Sequence, residues 1–186
     1  MTEITATDGR WRTRDILVVA VIAVAFGVFF WAFGFAWSAL GFLGPAVNLL
    51  YGLWLLPALV APLIVRRPGA ALFAELVAAS LSAFLGSQWA VDTLVSGLVQ
   101  GAAAELVFAA LRYRRFDLPV VIAAGLAASA AAFVHDWIVY YGEYAADVVV
   151  VIAGSMAISG LLLLPAAATL LVRALREAGA LSGYSD

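Results

Sequence analysis

The chain has 186 residues, of which 66% are hydrophobic and 12% are charged, and its mean hydropathy is +1.06. Soluble domains are about 45–50% apolar and about 25% charged, so the composition excludes an ordinary water-soluble domain and predicts a protein embedded in lipid. The formal net charge of -2 offers no basic surface for nucleic acid. The absence of cysteine excludes disulfides, thiolate metal sites and cysteine nucleophiles.

Six apolar segments are long enough to cross a bilayer, which takes about 20 residues at 1.5 Å of rise each. In chain order they cover approximately residues 16–37, 46–65, 69–87, 93–111, 118–141 and 146–172. Pro57 and Pro62 fall inside the second segment and predict a kink or an early end there. The first segment is longer than a signal-peptide core and lacks a cleavage site soon after it, so it predicts a retained helix.

The arginines indicate the orientation of these segments. All ten cationic residues are arginines, in four clusters: Arg10, Arg12, Arg14, Arg66, Arg67, Arg112, Arg114, Arg115, Arg173 and Arg176. Six crossings place every cluster on one side of the membrane, and the opposite loops carry Asp92, Glu143 and Asp147. Because arginine-rich loops stay in the cytoplasm, both termini are expected inside. The predicted fold is all-α, a single six-helix membrane domain over residues 1–186 in the plasma membrane.

Aromatic and polar residues collect at the end of the bundle opposite the arginines. The candidate ligand-binding residues there are Trp37, Asn48, Tyr51, Trp89, Asp92, His135, Asp136, Trp137 and Tyr140, and Gln100 joins them because Asp92, Ser96 and Gln100 share one helical face. An interfacial aromatic belt explains part of this set. Aromatic faces interleaved with carboxylates also suit a flat organic cation, through stacking, cation–π attraction and a counter-charge.

Two carboxylates lie deeper, Glu75 in the third segment and Glu105 in the fourth. A carboxylate within a span is costly and is a candidate for function. Each could instead be structural, hydrogen-bonded to a neighbouring helix or paired with an arginine. Both are included in the predicted ligand-binding set, with the structural alternative left open.

The sequence leaves little room for chemistry by the chain itself. One histidine and no cysteine do not supply the usual zinc ligands, and the absence of lysine excludes a phosphate-binding loop. No metal, cofactor or catalytic residue is therefore predicted. One alternative is an intramembrane enzyme that uses His135 and Asp136, with Ser159 as a possible nucleophile. Another is a small transporter that works without partners.

Three stretches resemble signatures of the YkoE family, the substrate-binding S-components of energy-coupling factor (ECF) vitamin transporters. They are Trp11-Arg12-Thr13-Arg14-Asp15, then Arg67-Pro68-Gly69-Ala70-Ala71-Leu72 with Glu75, and Gln100-Gly101-Ala102-Ala103-Ala104-Glu105-Leu106-Val107-Phe108. The third is alanine-rich where the family pattern has a further glycine. Length, helix number and orientation resemble the family over nearly the whole chain.

The resemblance implies a membrane subunit, not an enzyme, that captures thiamine or its hydroxymethylpyrimidine precursor from outside. It also implies delivery by reorientation against a transmembrane coupling subunit driven by two ATPase subunits. The first segment contains two pairs of small residues spaced four apart, Ala23 with Gly27 and Ala32 with Ala36. One interpretation of these pairs is ordinary packing between helices of the same bundle. The resemblance favours them as the docking stripe for the coupling subunit.

Overall fold

The computed structural model describes residues 10–182, and every regular element in that range is helical. The α-helices are α1 (Thr13–Ala39), α2 (Leu56–Val65), α3 (Ala70–Phe84), α4 (Asp92–Ala110), α5 (Leu118–Asp136), α6 (Ala146–Ile158) and α7 (Leu164–Glu177). Wider π-type turns extend α5 over Trp137–Tyr141 and join α6 to α7 over Ser159–Leu163. The predicted all-α class is therefore correct for the part of the chain that the structure describes.

Within residues 10–182, four helical stretches are long and apolar enough to cross a membrane. They are Thr13–Val65, Asp92–Ala110, Leu118–Tyr141 and Ala146–Glu177, while α3 is apolar but has only 15 residues. Many of their large apolar side chains face outwards, for example Val21, Phe84 and Ile138 at 69%, 87% and 76% exposure. Outward-facing apolar side chains at this density fit a lipid environment rather than water.

The longest stretch, Thr13–Val65, is not straight. Between α1 and α2 the segment Leu40–Leu55 forms tight 3₁₀ turns, broken at Gly44 by a φ of 56° and a ψ of -140°. Only glycine adopts that conformation readily, and Pro45 after it has no N–H to continue a helix. The chain turns back here, because Arg67 Nε, beyond the end of α2, lies 3.2 Å from Asp15 Oδ2 at the start of α1.

Helix α2 is the central element of the bundle. All ten of its residues are buried, and it packs against α1, α3 and α7. Pro57 lies in its first turn, where the missing N–H has no partner to lose, and Pro62 precedes its end at Val65. A helix buried on every side has no polar face, which is consistent with its uniformly apolar sequence.

Glycines allow α4 to pack closely against α3. A Cβ added at Gly97 would lie 2.5 Å from Ala79 Cβ, and one added at Gly101 would lie 2.9 Å from Glu75 Cβ. Real side chains do not fit in that space, so the two backbones can be this close only because both positions are glycine. This contact fixes Glu75 at the level of residues 97–101 of α4.

The two pairs of small residues predicted for docking lie on different faces of α1. Ala23 and Gly27 are buried against the bundle, and a Cβ on Gly27 would lie 2.7 Å from Leu81 Cβ of α3. Ala23 and Gly27 are therefore internal packing residues, which was one of the two interpretations of this pair. Ala32 and Ala36 are exposed and belong to a different face of the same helix.

The end of the bundle that carries the arginines at 66–67 and 112–115, here called the arginine end, is closed by polar contacts. Asp15 is 2% exposed and pairs with Arg67, and the Trp11 indole N–H donates to the carbonyl of Pro68 at 2.9 Å. These contacts join the start of α1 to the turn between α2 and α3. The aromatic and polar residues that these contacts do not involve lie at the opposite end of the bundle.

Candidate ligand site

A cavity of about 300 Å³ lies toward the opposite end of the bundle, here called the aromatic end. Its lining includes the beginning of α4 at Asp92 and the residues that follow α5, Tyr140 and Tyr144. Tyr140 and Tyr144 are 39% and 52% exposed, so the cavity reaches the protein surface at these two rings. The volume is at the lower end of the range of about 300–1,000 Å³ for small-molecule sites.

Most of the wall is aromatic. The lining rings are Phe30, Trp37, Tyr51, Trp54, Trp89, Tyr140, Tyr141 and Tyr144. Trp54, from the 3₁₀ segment, lies at the centre, with ring centroids 5.3 Å from Phe30 and 5.3 Å from Trp89, the latter nearly perpendicular at 86°. Edge-to-face pairs of this kind hold rings in fixed orientations. The wall therefore offers preset π faces to a flat ligand.

A hydrogen-bond network within the cavity lining connects three elements of the bundle. The Tyr51 hydroxyl donates to Asp136 Oδ2 at 2.7 Å, and Gln100 Nε2 donates to the Tyr51 oxygen at 3.2 Å and to Ser96 Oγ at 2.7 Å. The network joins the 3₁₀ segment to α4 and α5. Because its members are mostly buried, each hydrogen bond also prevents the cost of an unpaired polar group.

A second cluster lies where the cavity reaches the surface, here called the mouth. The Tyr140 hydroxyl donates to Asp92 Oδ2. The His135 ring lies between two carboxylates, with Nε2 at 3.2 Å from Asp92 Oδ1 and Nδ1 at 2.9 Å from Asp136 Oδ1. The cluster thus ties the beginning of α4 to the end of α5. The wider turns at Trp137–Tyr141 allow both Tyr140 and Tyr141 to reach the cavity.

Glu75 is the third carboxyl in the lining, and it is only 1% exposed. Its Oε2 accepts a hydrogen bond from the N–H of Ala58 at 3.0 Å. Ala58 is in the first turn of α2, where backbone N–H groups have no partner inside the helix, so Glu75 caps α2. Its Oε1 is buried and accepts no hydrogen bond from residues 10–182.

The electrostatic character of the site follows from its lining. Three carboxyls, those of Glu75, Asp92 and Asp136, line the cavity, and neither arginine nor lysine is among its lining residues. His135 lies behind the two aspartates and balances at most one of them. The cavity is therefore built to favour a cation or a ligand rich in N–H donors.

The structure brings eight of the twelve predicted ligand-binding residues to this cavity. They are Trp37, Tyr51, Glu75, Trp89, Asp92, Gln100, Asp136 and Tyr140. Phe30, Trp54, Thr93, Tyr141 and Tyr144 also line it and were missing from the predicted set. Spacing could have found Phe30, because it lies seven residues before Trp37 and hence on the same face of α1.

Glu105 does not reach the cavity. Its Oε1 accepts from the N–H of Gly69 at 2.6 Å and from the Tyr113 hydroxyl at 2.7 Å, and its Oε2 accepts from the N–H of Ala71 at 2.9 Å. It therefore caps the start of α3 at the arginine end, which matches the structural alternative. Burial, and then the hydrogen bond to Glu105, raise the pKa of Tyr113 above its ordinary value.

Asn48, His135 and Trp137 also lie outside the cavity lining. Asn48 is buried and its Nδ2 donates to the carbonyl of Pro45 at 3.0 Å, which supports the bend after Gly44. His135 forms a hydrogen bond with Asp136 Oδ1 through Nδ1, and its Nε2 lies 3.2 Å from Asp92 Oδ1. Trp137 is 48% exposed and stacks on Phe133, with ring centroids 6.4 Å apart. Its position supports an interfacial aromatic rather than a ligand contact.

The helical bundle with an acidic, aromatic cavity at one end has the fold of a known class of transport subunit. It is similar to a solved chain described as "Crystal structure of an S-component of ECF transporter", with a TM-score of 0.89 and 31% identity, covering 95% of this chain and 91% of that one. The fold and site thus define a substrate-binding S-component, a multi-pass protein of the plasma membrane.

Sequence comparison identifies the family more closely. Residues 14–131 match the family model described as "ABC-type cobalt transport system, permease component". The HMP/thiamine permease protein YkoE of Bacillus subtilis (strain 168) is 35% identical over 156 residues, 82% of this chain and 78% of that protein. The chain therefore belongs to this family of transport permease components and is a relative of YkoE, as the sequence signatures predicted.

Proposed function

We propose that the chain captures thiamine or hydroxymethylpyrimidine (HMP) in the cavity at the aromatic end. The observation that carries the proposal is the cavity itself, walled by eight aromatic rings and three carboxyls without a basic residue. Thiamine combines a cationic thiazolium ring with an aminopyrimidine ring, and both rings are flat. Stacking, cation–π attraction and carboxyl acceptors suit these two rings. The relative's name, HMP/thiamine permease, supports the same ligand class.

Cobalt, which the family description names, fits the cavity less well. Within residues 10–182 no group of three or more histidine, cysteine, aspartate or glutamate side chains is arranged to hold a metal ion. Divalent transition metals need such converging ligands. Both nitrogens of His135 face carboxylates, which leaves no imidazole nitrogen directed at a metal.

The proposed topology has six membrane crossings with both termini in the cytoplasm. The stretch Thr13–Val65 turns back after Gly44 and thus supplies two crossings, α3 to α5 supply three, and Ala146–Glu177 supplies the sixth. This arrangement puts all ten arginines on the cytoplasmic side. The cavity then faces the outside, where an imported vitamin is captured.

Delivery to the cytoplasm requires partners. A chain without lysine lacks the lysine of a phosphate-binding loop and cannot power transport by its own ATP hydrolysis. The proposed partners are a transmembrane coupling subunit and two ATPase subunits. Within α1, the exposed face with Ala32 and Ala36 is the part of the predicted docking stripe that is open to a neighbour.

The binding test is a calorimetric titration of the purified protein with thiamine and with HMP, followed in parallel by tryptophan fluorescence. Saturable one-to-one binding with quenching is expected. Trp54→Phe should weaken binding, while Trp137→Phe, on a half-exposed ring outside the cavity, is the matched control and should bind as wild type. Absence of heat and quenching with both compounds would contradict the ligand assignment.

The two alternatives are testable in the same preparation. An intramembrane enzyme would need a free nucleophile, but the Ser159 hydroxyl is 1% exposed and accepts the N–H of Gly52 at 2.8 Å. A self-sufficient transporter would show uptake in vesicles that contain this chain alone. The proposed S-component would show uptake only after the coupling subunit and ATPases are added.

A further inference from the structure

We infer that the turn between α4 and α5 binds the headgroup of an anionic phospholipid through Arg112 and Arg114. These two residues, here called the arginine pair, lie at the arginine end of the bundle. In the proposed topology this end is in the cytoplasmic leaflet. Neither residue lines the cavity, so the lipid site is independent of which ligand the cavity takes.

The arginine pair carries two positive charges that the chain itself does not balance. Arg112 and Arg114 are exposed, and neither side chain makes a hydrogen bond or a salt bridge within residues 10–182. Arg115, in the same turn, pairs instead with Asp117 at 2.7 Å. Two uncompensated cations on one turn favour an anion from outside the chain. Guanidinium groups suit a phosphate in particular, because their N–H donors match its oxygens in pairs.

The backbone of this turn is held in a conformation that is costly for its residues. Arg112 and Tyr113 have φ angles of 53° and 55°, in the left-handed region that residues other than glycine seldom occupy. The Tyr113 hydroxyl donates to Glu105 Oε1 at 2.7 Å. The Phe116 ring stacks on the buried ring of Phe108, with centroids 5.4 Å apart. These contacts fix the turn to the bundle, so a headgroup meets arginines whose backbone is already ordered.

The surface beside the arginine pair is apolar and exposed, which favours a lipid over an acidic protein segment as the partner. Leu106 is 68% exposed and lies four residues before the end of α4, about 6 Å along the helix axis. Leu118 is 54% exposed and begins α5. Acyl chains that cover these two leucines place the phosphate of the same lipid near the arginine pair. An acidic protein segment would satisfy the charges but has no need of the apolar surface.

A third cation lies close to the turn. Arg66, just after α2, is exposed, and its guanidinium carbon lies 5.7 Å from the centroid of the Phe116 ring. A phosphate at the arginine pair is therefore in the field of arginines from two turns of the bundle. Phosphatidylglycerol carries a net negative charge, whereas the choline of phosphatidylcholine cancels the charge of its phosphate. The expected preference is therefore for phosphatidylglycerol.

The test measures lipid binding to the purified protein by native mass spectrometry. The protein in detergent is titrated with phosphatidylglycerol or with phosphatidylcholine that has the same acyl chains. The pair variant carries Arg112→Gln and Arg114→Gln. Its matched control carries Arg173→Gln and Arg176→Gln, which remove the same charge from exposed positions near the end of α7. Thermal melts in phosphatidylcholine check that both variants are folded.

The wild type should bind phosphatidylglycerol about 10- to 30-fold more tightly than phosphatidylcholine at low ionic strength, because each arginine near an anionic headgroup contributes about fivefold. The pair variant should lose most of this preference, and the control should keep it. Added salt should reduce the preference of the wild type, since exposed charges are screened.

The inference is overturned if the wild type binds the two lipids equally, a measurement that needs no variant to fold. An equal loss of preference in the pair variant and its control also overturns it, because the effect would then follow net charge rather than this turn. If the pair variant keeps the preference but no longer co-purifies with the coupling and ATPase subunits, the turn is a protein contact and not a lipid site. None of these measurements includes thiamine, so a failure of the proposed ligand is distinguishable.

Discussion

The close contact of α3 and α4 predicts that Gly101→Ala damages both stability and binding. The added Cβ would lie 2.9 Å from Glu75 Cβ and 3.1 Å from Leu72 Cα. Neither atom is the far end of a flexible side chain, so α3 itself must move. Overpacking of this kind costs about 1–3 kcal/mol. Because the displaced residue is Glu75, we also expect thiamine and HMP to bind about tenfold more weakly, a loss of about 1.4 kcal/mol.

Gly154→Ala is the matched control for this prediction. Gly154 lies in α6, and a Cβ there has no atom within 4 Å. Both substitutions gain about 1 kcal/mol of helix propensity, so the difference between the variants isolates the overpacking cost. About 1–3 kcal/mol corresponds to an apparent Tm lower by about 2–12 °C for Gly101→Ala than for Gly154→Ala. The reasoning is refuted if the two variants melt together and bind equally well.

Three further predictions concern the polar contacts. Tyr51→Phe removes the hydroxyl that donates to Asp136 at 2.7 Å, so the free energy of unfolding should fall by about 1–3 kcal/mol in thermal melts and thiamine should bind more weakly. An unchanged melting temperature would contradict a structural role of the network. Glu105→Gln should lower the apparent Tm, because it weakens the cap of α3. The affinity for HMP measured by calorimetry should stay within twofold of the wild type. A loss of affinity without a change in Tm would support the predicted ligand role of Glu105. Arg115 lowers the pKa of Asp117 through a hydrogen bond, and both side chains are exposed. Because exposed ion pairs contribute little to stability, Asp117→Asn should leave the melting temperature unchanged. A clear shift would contradict this expectation.

Hydropathy predicted the helical segments because a bilayer selects for length and apolarity alone. Local chemistry also marked the reversal after α1, since Gly44 and Pro45 cannot continue a helix. Sequence did not indicate the long 3₁₀ segment or the π-type turns. These irregular turns depend on how α2 and α6 pack on their neighbours, and no residue pattern in these stretches predicts that packing. The position of Trp54 at the centre of the aromatic wall follows from that packing.

Glu75 and Glu105 illustrate why the site was predicted only in part. Their depth in the bundle is similar by residue count, but their roles depend on which helix start each one reaches. Glu105 reaches several N–H groups at the start of α3, which occupy both of its oxygens. One oxygen of Glu75 accepts a hydrogen bond at the start of α2, and the other accepts none from residues 10–182. Neighbours across a helix interface are not visible in one sequence.

The segment His135–Trp137 shows a different limit. Successive residues on a helix point about 100° apart, so three consecutive candidates cannot all face one cavity. Asp136 lines the cavity, His135 supports it from behind, and Trp137 turns outwards. The polar run marked the correct helix end. Helical geometry then allows one of the three side chains to line the site.

The most direct test of ligand capture at the aromatic end is an experimental structure of the protein with thiamine bound. The expected result is a ligand stacked against Trp54 inside the cavity that Glu75, Asp92 and Asp136 line. Thiamine found outside this cavity, or no bound thiamine at saturating concentration, would contradict the account.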